Sequence, residues 1–304
     1  MPSAFEVRLV GPTGERVDFA RTIMSHGVAD LPPGRVDEES YAYETTVALP
    51  SPSRPRAIRI AAAGPAAARV EVRGPALGGR ATVALRDAVR RILNLDEDLS
   101  GFYAAAAEDP DLEWATRGAG RMLRTPTVFE AVVKTVCTTN CAWSATVRMV
   151  SALVDNLGEP VSGRDERAFP TPEAMASAPE SFYREVVRAG YRSAYLRSLA
   201  SGVAEGTTEL EELGDPAIEI SDEDVAARLL ALPGIGPYGT AHMMMLLGRH
   251  SRLVLDSWTR PKYARVRGRK ATDAQIERRF RRYGRYAGLA FWLYLTRDWV
   301  TDEV

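Results

Sequence analysis

The sequence predicts an α+β fold: a mainly helical chain with a small antiparallel β-sheet ahead of the helices. Three observations carry that expectation. Up to residue 79, short runs alternate apolar and polar residues and are split by Pro and Gly. From residue 80 to 304, apolar residues recur at a helical spacing instead. The breakers there fall between the helical runs. A chain of 304 residues can bury a sizeable core, here expected in two parts, 1–79 and 80–304.

The strand runs are "FEVRLV", "YAYETTVAL", "AIRIAAA" and "ARVEVRG", with "LPSPSRPRA" as the connection between the middle two. "ATVALRDAVRRILNL" opens the helical part, with Val83, Val89, Ile92 and Leu93 close to one stripe. Further helices are expected over 126–157, 172–188, 192–205, 222–231, 237–249 and 273–296. Pro126 suits a helix start, and Ser221 with Asp224 resembles a capping box. Residues 158–172 read as an exposed connection.

Composition excludes several classes. No window reaches about 18 uninterrupted apolar residues, so no membrane span is expected. "MPSAFEVRLVG" lacks the basic and apolar regions of a signal peptide, so a cytoplasmic protein is expected, as a monomer. Cys137 and Cys141 stand i, i+4 and read as reduced core residues. Two thiols cannot supply the roughly four ligands of an iron–sulfur cluster. His26, His242 and His250 show no ligand spacing, so no metal site is expected.

One stretch carries more chemistry. In "LPGIGPYGTA", Leu232 closes an apolar helix and Pro233 stops it. Gly234 and Gly236 permit a tight turn and close approach of another chain. Pro237 presets the next helix. Two helices joined this way expose free N–H groups at the positive end of a helix dipole, which suits a phosphate. An ordinary Gly-capped turn is the plainer reading of a bare GxG. Net charge is −1, yet eleven basic residues fall between Arg260 and Arg285, against Asp273 and Glu277. Alone, such a run is a solvated helix face. Beside the hairpin it reads as a phosphate-facing surface that includes Arg260 and Lys262.

"LPGIGPYGTA", an apolar helix, and then Asp256 after "GRHSRLVL" resemble the helix-hairpin-helix DNA glycosylases, of the 3-methyladenine and 8-oxoguanine branch. "GAGRMLRTPTVFEAVVKTVCTTNCAW" and "AGYRSAYLRSLA" resemble further segments of that family, so the likeness spans about 80–300. The N-terminal sheet resembles that branch's extra domain in layout only. The resemblance implies that Asp256 is the catalytic carboxylate, 18 positions after the hairpin's specificity position, Tyr238. Asp256 also suits the N-cap of a following helix, and the two uses are compatible. Bifunctional members carry a lysine where Tyr238 stands, so hydrolysis without strand cleavage is implied. No four-Cys cluster follows, which excludes the iron–sulfur branch.

The family resemblance also implies the surrounding parts. Gly234, Ile235, Gly236, Gly239 and Thr240 hold a DNA phosphate, helped by a monovalent cation on hairpin carbonyls. Asn140 probes the helix where a base has left. Tyr238 stacks on the flipped base. Trp143, Trp258, His242 and Met245 are secondary pocket candidates, each with a plainer reading as packing residues. Tyr191 and Arg192 read as holding helices together. The expected activity is a monofunctional glycosylase of base-excision repair acting on an alkylated purine in double-stranded DNA. The alternatives are a non-catalytic helix-hairpin-helix DNA-binding protein and a glycosylase/lyase for an oxidised base, using Lys134 or Lys262.

Overall fold

The alternating runs do form a sheet. In a computed structural model that describes residues 3–300, strands β1 (Ser3–Arg8), β2 (Arg35–Asp37), β3 (Ala42–Val47), β4 (Arg56–Ala62) and β5 (Ala67–Val72) pair antiparallel in the order β1-β5-β4-β3-β2. Residues 1–2 and 301–304, the outer ends of the two expected parts, lie outside the described residues. Val70 and Val72 on β5 point inward with Ile58 and Ile60 on β4, as a period of two requires. β3 is buried along both faces because the helical part covers the one that the sheet's own core does not. A short helix α1 (Phe19–Ile23), capped by Asp18, precedes β2, and neither was expected.

The helical part begins with α2 (Gly79–Ile92). Its buried residues Leu85, Val89 and Ile92 belong to the sheet's core, so the expected division at 79/80 falls at the start of a helix that packs on the sheet. Then follow α3 (Ser100–Ala107), α4 (Val128–Thr138), α5 (Trp143–Leu157), α6 (Pro172–Ala176) and α7 (Arg192–Ala204). Last come α8 (Asp222–Leu230), α9 (Pro237–Leu246), α10 (Thr259–Arg267), α11 (Asp273–Phe280) and α12 (Ala287–Thr296). A second, larger core joins α3 to α12. Among the described residues, no helix is long and apolar enough to cross a membrane.

Three expected helices are interrupted. The run 126–157 breaks at 139–142. There the Thr138 and Thr139 hydroxyls bond back to the carbonyls of Thr135 and Val136, and Asn140 turns left-handed at φ 46°. Pro179 separates α6 from a π-helical turn at Phe182–Val186. Gly284, at φ 54°, interrupts 273–296 between α11 and α12. Helix α3 was not expected, and α10 only as the helix that Asp256 would cap.

Candidate active site

The hairpin joins α8 to α9. Ser221 caps α8 by accepting from the Asp224 N–H, and Pro237 sits in the first turn of α9. Gly234 adopts φ 81°, a value few side chains tolerate, and a Cβ there would lie 2.8 Å from the Tyr195 ring. At Gly236 an added Cβ would meet nothing within 4 Å. The Ile235 N–H is used on Leu232 and the Thr240 N–H on Gly236. The amides of Gly234, Gly236, Tyr238 and Gly239 donate to no backbone carbonyl among the described residues. These four free amides stand at a helix N-terminus, an arrangement that suits an anion.

Asp256 precedes α10. Its Oδ1 accepts from the N–H of Trp258 at 2.9 Å and of Thr259 at 2.6 Å, and the Thr259 hydroxyl accepts from the Asp256 N–H at 2.8 Å. One carboxylate oxygen therefore holds the helix start in a reciprocal cap. The other, Oδ2, receives no hydrogen bond among the described residues. The side chain is half-buried. Its charge reaches Tyr238: burial raises the phenol above its usual range, and Asp256 raises it further, while the Thr138 hydroxyl opposes the shift.

Behind Tyr238 runs a line of rings. Tyr238 stacks on His242 at 6.0 Å with planes 18° apart, and His242 meets His26 edge-on at 6.1 Å. Both histidines are buried. Burial pulls His242 down to about 3, helped by His26, and His26 down to about 4, helped by the charge of Lys134. His26 Nε2 lies 2.7 Å from the Leu123 carbonyl and so must carry the proton. Next to His26, Gly27 lies under the Trp143 ring. Trp143 is 48% exposed, so it is a surface wall and not a core residue.

Neither a protein-family model nor a curated protein matches the chain in sequence. Solved structures match it in shape. A 3-methyladenine DNA glycosylase from Archaeoglobus fulgidus superposes with a TM-score of 0.73 at 20% identity, covering 98% of this chain and all 100% of that one. MBOgg1, solved in complex with a low-affinity DNA ligand, gives 0.72 at 18% identity over 98% of this chain and 97% of its own. The apo 8-oxoguanine glycosylase/lyase of Clostridium acetobutylicum gives 0.71 at 16% identity, over 97% and 96%. The chain has the fold of these DNA glycosylases.

Within that glycosylase fold, several expected residues sit elsewhere than the sequence placed them. Met245 is buried with Met243 and Met244, because α4 and α8 both pack on α9; it is core, not pocket wall. The Thr240 side chain is buried too, and its N–H is spent inside the helix, so it offers nothing to a phosphate. The side chain and amide of Ile235 are likewise internal. Arg260 is held bidentate by Asp273 at 2.8 and 2.9 Å, and Lys262 by Asp298 at 2.6 Å, so neither presents a free charge. Arg265, Arg267, Arg269 and Lys270 beside them are exposed without a carboxylate partner among the described residues. Trp258 leans on Trp292 and Trp299 at 5.6 Å each, with 37% exposed.

Lysine chemistry is poorly provided. Lys134 is fully buried, bonded to Glu130 at 2.7 Å and to the Leu31 carbonyl at 2.9 Å. Asn140 is exposed at the α4–α5 turn, and Arg192 fixes that turn by bonding the Thr139 carbonyl and hydroxyl. Arg192 therefore does hold elements together, as expected. His26 and Gly27 were not singled out as site residues. No local pattern marks them, because they come from the sheet part and reach the site only through the fold.

Proposed function

We propose that the chain is a monofunctional DNA glycosylase that flips an alkylated purine out of double-stranded DNA and hydrolyses its N-glycosidic bond. The observation that carries this reading is Asp256, with one oxygen fixed in a helix cap and the other unengaged, electrostatically coupled to Tyr238 on the hairpin helix. The fold shared with a 3-methyladenine DNA glycosylase, an 8-oxoguanine glycosylase/lyase and the DNA-bound MBOgg1 supports N-glycosidic chemistry on DNA.

The free amides of Gly234, Gly236, Tyr238 and Gly239 hold a backbone phosphate, and exposed Arg265, Arg267, Arg269 and Lys270 supply salt-sensitive attraction. The carbonyls of Gly234 and Ile235 accept no backbone hydrogen bond among the described residues and would suit a monovalent cation that adds positive charge beside that phosphate. The flipped base stacks on Tyr238, with Trp143 as the opposing wall. His26 and His242 are neutral near pH 7, so no imidazolium repels a cationic purine. As the bond to C1′ breaks, the sugar gains positive charge, and the Asp256 carboxylate stabilises it. Its Oδ2 also orients the water that attacks C1′. A cationic purine leaves as a neutral base and needs no protonation. Tyr238 cannot form a Schiff base, and Lys134 and Lys262 are both tied down, which supports hydrolysis over lyase chemistry.

The test is a panel of duplexes, each with one lesion, assayed for released base and for strand breaks. Release of an alkylated purine from an unbroken strand is expected, with no adduct trapped by borohydride. A trapped adduct would overturn the monofunctional reading. Duplex binding without release of any base would leave only a DNA-binding protein.

A further inference from the structure

A cavity of about 650 Å³ lies away from the hairpin, between the sheet part and the helices. It borders Leu246 and Leu247 at the C-terminal end of α9, whereas the hairpin lies at the N-terminal end of that helix. Ten helical residues separate them, about 15 Å. The volume falls within the roughly 300–1,000 Å³ of small-molecule sites. Its walls are largely apolar: Phe129, Phe169, Pro170, Val203, Ile218 and Leu247. Phe129 and Phe169 meet edge to face at 6.4 Å and form a buried aromatic part of that wall.

The charged groups on the wall are not equivalent. The acids are engaged. Glu130 is paired with Lys134, Glu211 accepts from the Val128 and Phe129 N–H groups at 3.0 Å each, Glu212 is paired with Arg228, and Asp215 accepts from the Ala217 N–H. Neither arginine of the wall makes a salt bridge among the described residues. Arg124 uses only Nε, on the Leu246 carbonyl at 2.9 Å, and its Nη groups make no hydrogen bond among the described residues. Arg91 bonds the Pro126 carbonyl and no carboxylate. Arg124 also lines two adjoining hollows of about 360 and 310 Å³. Burial already pulls its pKa below the usual arginine value, and the charges of Arg91 and Arg249 add to that, while Glu97 opposes it. A part-buried, unpaired guanidinium is costly unless an anion meets it.

We propose that this cavity binds a small organic anion with a flat apolar body, the body against Phe129 and Phe169 and the anionic group on Arg124 and Arg91. The site is separate from the carboxylate and hairpin, and it does not depend on the glycosylase reading.

A matched pair of probes tests it: 1-anilinonaphthalene-8-sulfonate and its uncharged relative N-phenyl-1-naphthylamine, titrated calorimetrically and by fluorescence into the full chain. One sulfonate per chain is expected, bound at least tenfold more tightly than the neutral probe. Arg124→Gln and Arg91→Gln should each weaken the sulfonate about tenfold and leave the neutral probe within twofold. Ile218→Trp, at the rim, should exclude both. Arg91→Gln leaves the Arg124–Leu246 bond intact, so it decides the matter if Arg124→Gln unfolds. Equal affinity for the two probes would overturn the proposal. So would sulfonate binding that ignores Arg91→Gln and Ile218→Trp, or binding that never saturates.

Discussion

Asp256 spends one oxygen on the helix cap and leaves the other open for the proposed chemistry, and substitutions separate the two. Asn keeps one acceptor oxygen for the Trp258 and Thr259 amides but removes the charge. Asp256→Asn should therefore lower single-turnover base excision by roughly 10²–10³ with duplex affinity retained. Asp256→Ala should lose the same activity and also about 1 kcal/mol of stability, because the cap goes. Excision by Asp256→Asn at the wild-type rate would remove Asp256 from the chemistry. The buried histidines give a pH prediction. Their folded values, about 3 and about 4, lie below the unfolded 6.5. The unfolded chain then binds more protons below pH 6.5, so stability is complete above that pH and is lost as pH falls toward 4. At pH 5 each histidine costs about 2 kcal/mol. His242→Phe keeps a ring under Tyr238, so its stability should fall less than wild type between pH 7 and 5 in urea titrations. Parallel slopes would show that His242 is not buried neutral. Asp256 and Tyr238 were legible because both lie in one local motif of fixed spacing. The partner of His242 was not, because His26 arrives from the sheet part.

The hairpin is the element on which sequence and geometry agree most closely, and its two glycines have different reasons. Gly234 is needed by the backbone, at φ 81° and against the Tyr195 ring, so Gly234→Ala should cost about 1–3 kcal/mol. Gly236 has open space beside it. Gly236→Asp should leave the melting temperature nearly unchanged while lowering duplex affinity at least tenfold, because it sets a carboxylate at the proposed phosphate site. A variant that binds duplex as wild type does would move the phosphate site elsewhere. Other elements were read less well, for physical reasons. Helix α10, "TRPKYARVR", buries only Thr259 and Tyr263, too few to show a period. Helix α3, "SGFYAAAA", is so rich in alanine that its apolar face has no polar contrast. The α4–α5 break depends on hydroxyls bonding back to the main chain and on Arg192, none of which periodicity reports.

At the scale of the whole molecule, pairing between distant segments overrides local composition. The run Arg260–Arg285 looks strongly basic in sequence. Yet Asp109 meets Arg282, Asp111 meets Arg279 and Asp298 meets Lys262, so three of those eleven charges are met from other segments. The junction between the two cores shows the same principle in a buried setting. Arg121 is fully enclosed. Its Nη1 donates to the carbonyls of Asn94 at 2.7 Å and Glu97 at 2.6 Å, and its Nη2 to Glu15 at 2.6 Å. One side chain thus ties the turn after β1 and the loop after α2 to the segment before α4. Arg121→Met removes the cation from Glu15, which keeps only its Thr13 and Leu99 donors, and leaves two carbonyls unmet, so the stability should drop by about 3–5 kcal/mol. Adding Glu15→Gln should restore part of the loss, because no uncompensated charge remains. The variant should also unfold unevenly. All five tryptophans, Trp114, Trp143, Trp258, Trp292 and Trp299, belong to the helical part, and Trp114, Trp143 and Trp292 meet Arg21, Gly27 and Ser25 of the sheet part, so their fluorescence follows the helical part and the junction, whereas circular dichroism also follows the sheet. In urea the two signals should coincide for the wild type and separate for Arg121→Met, as two cores without their clamp cease to unfold as one. Coincident curves, or a loss below about 1 kcal/mol, would show that apolar packing alone joins the two parts.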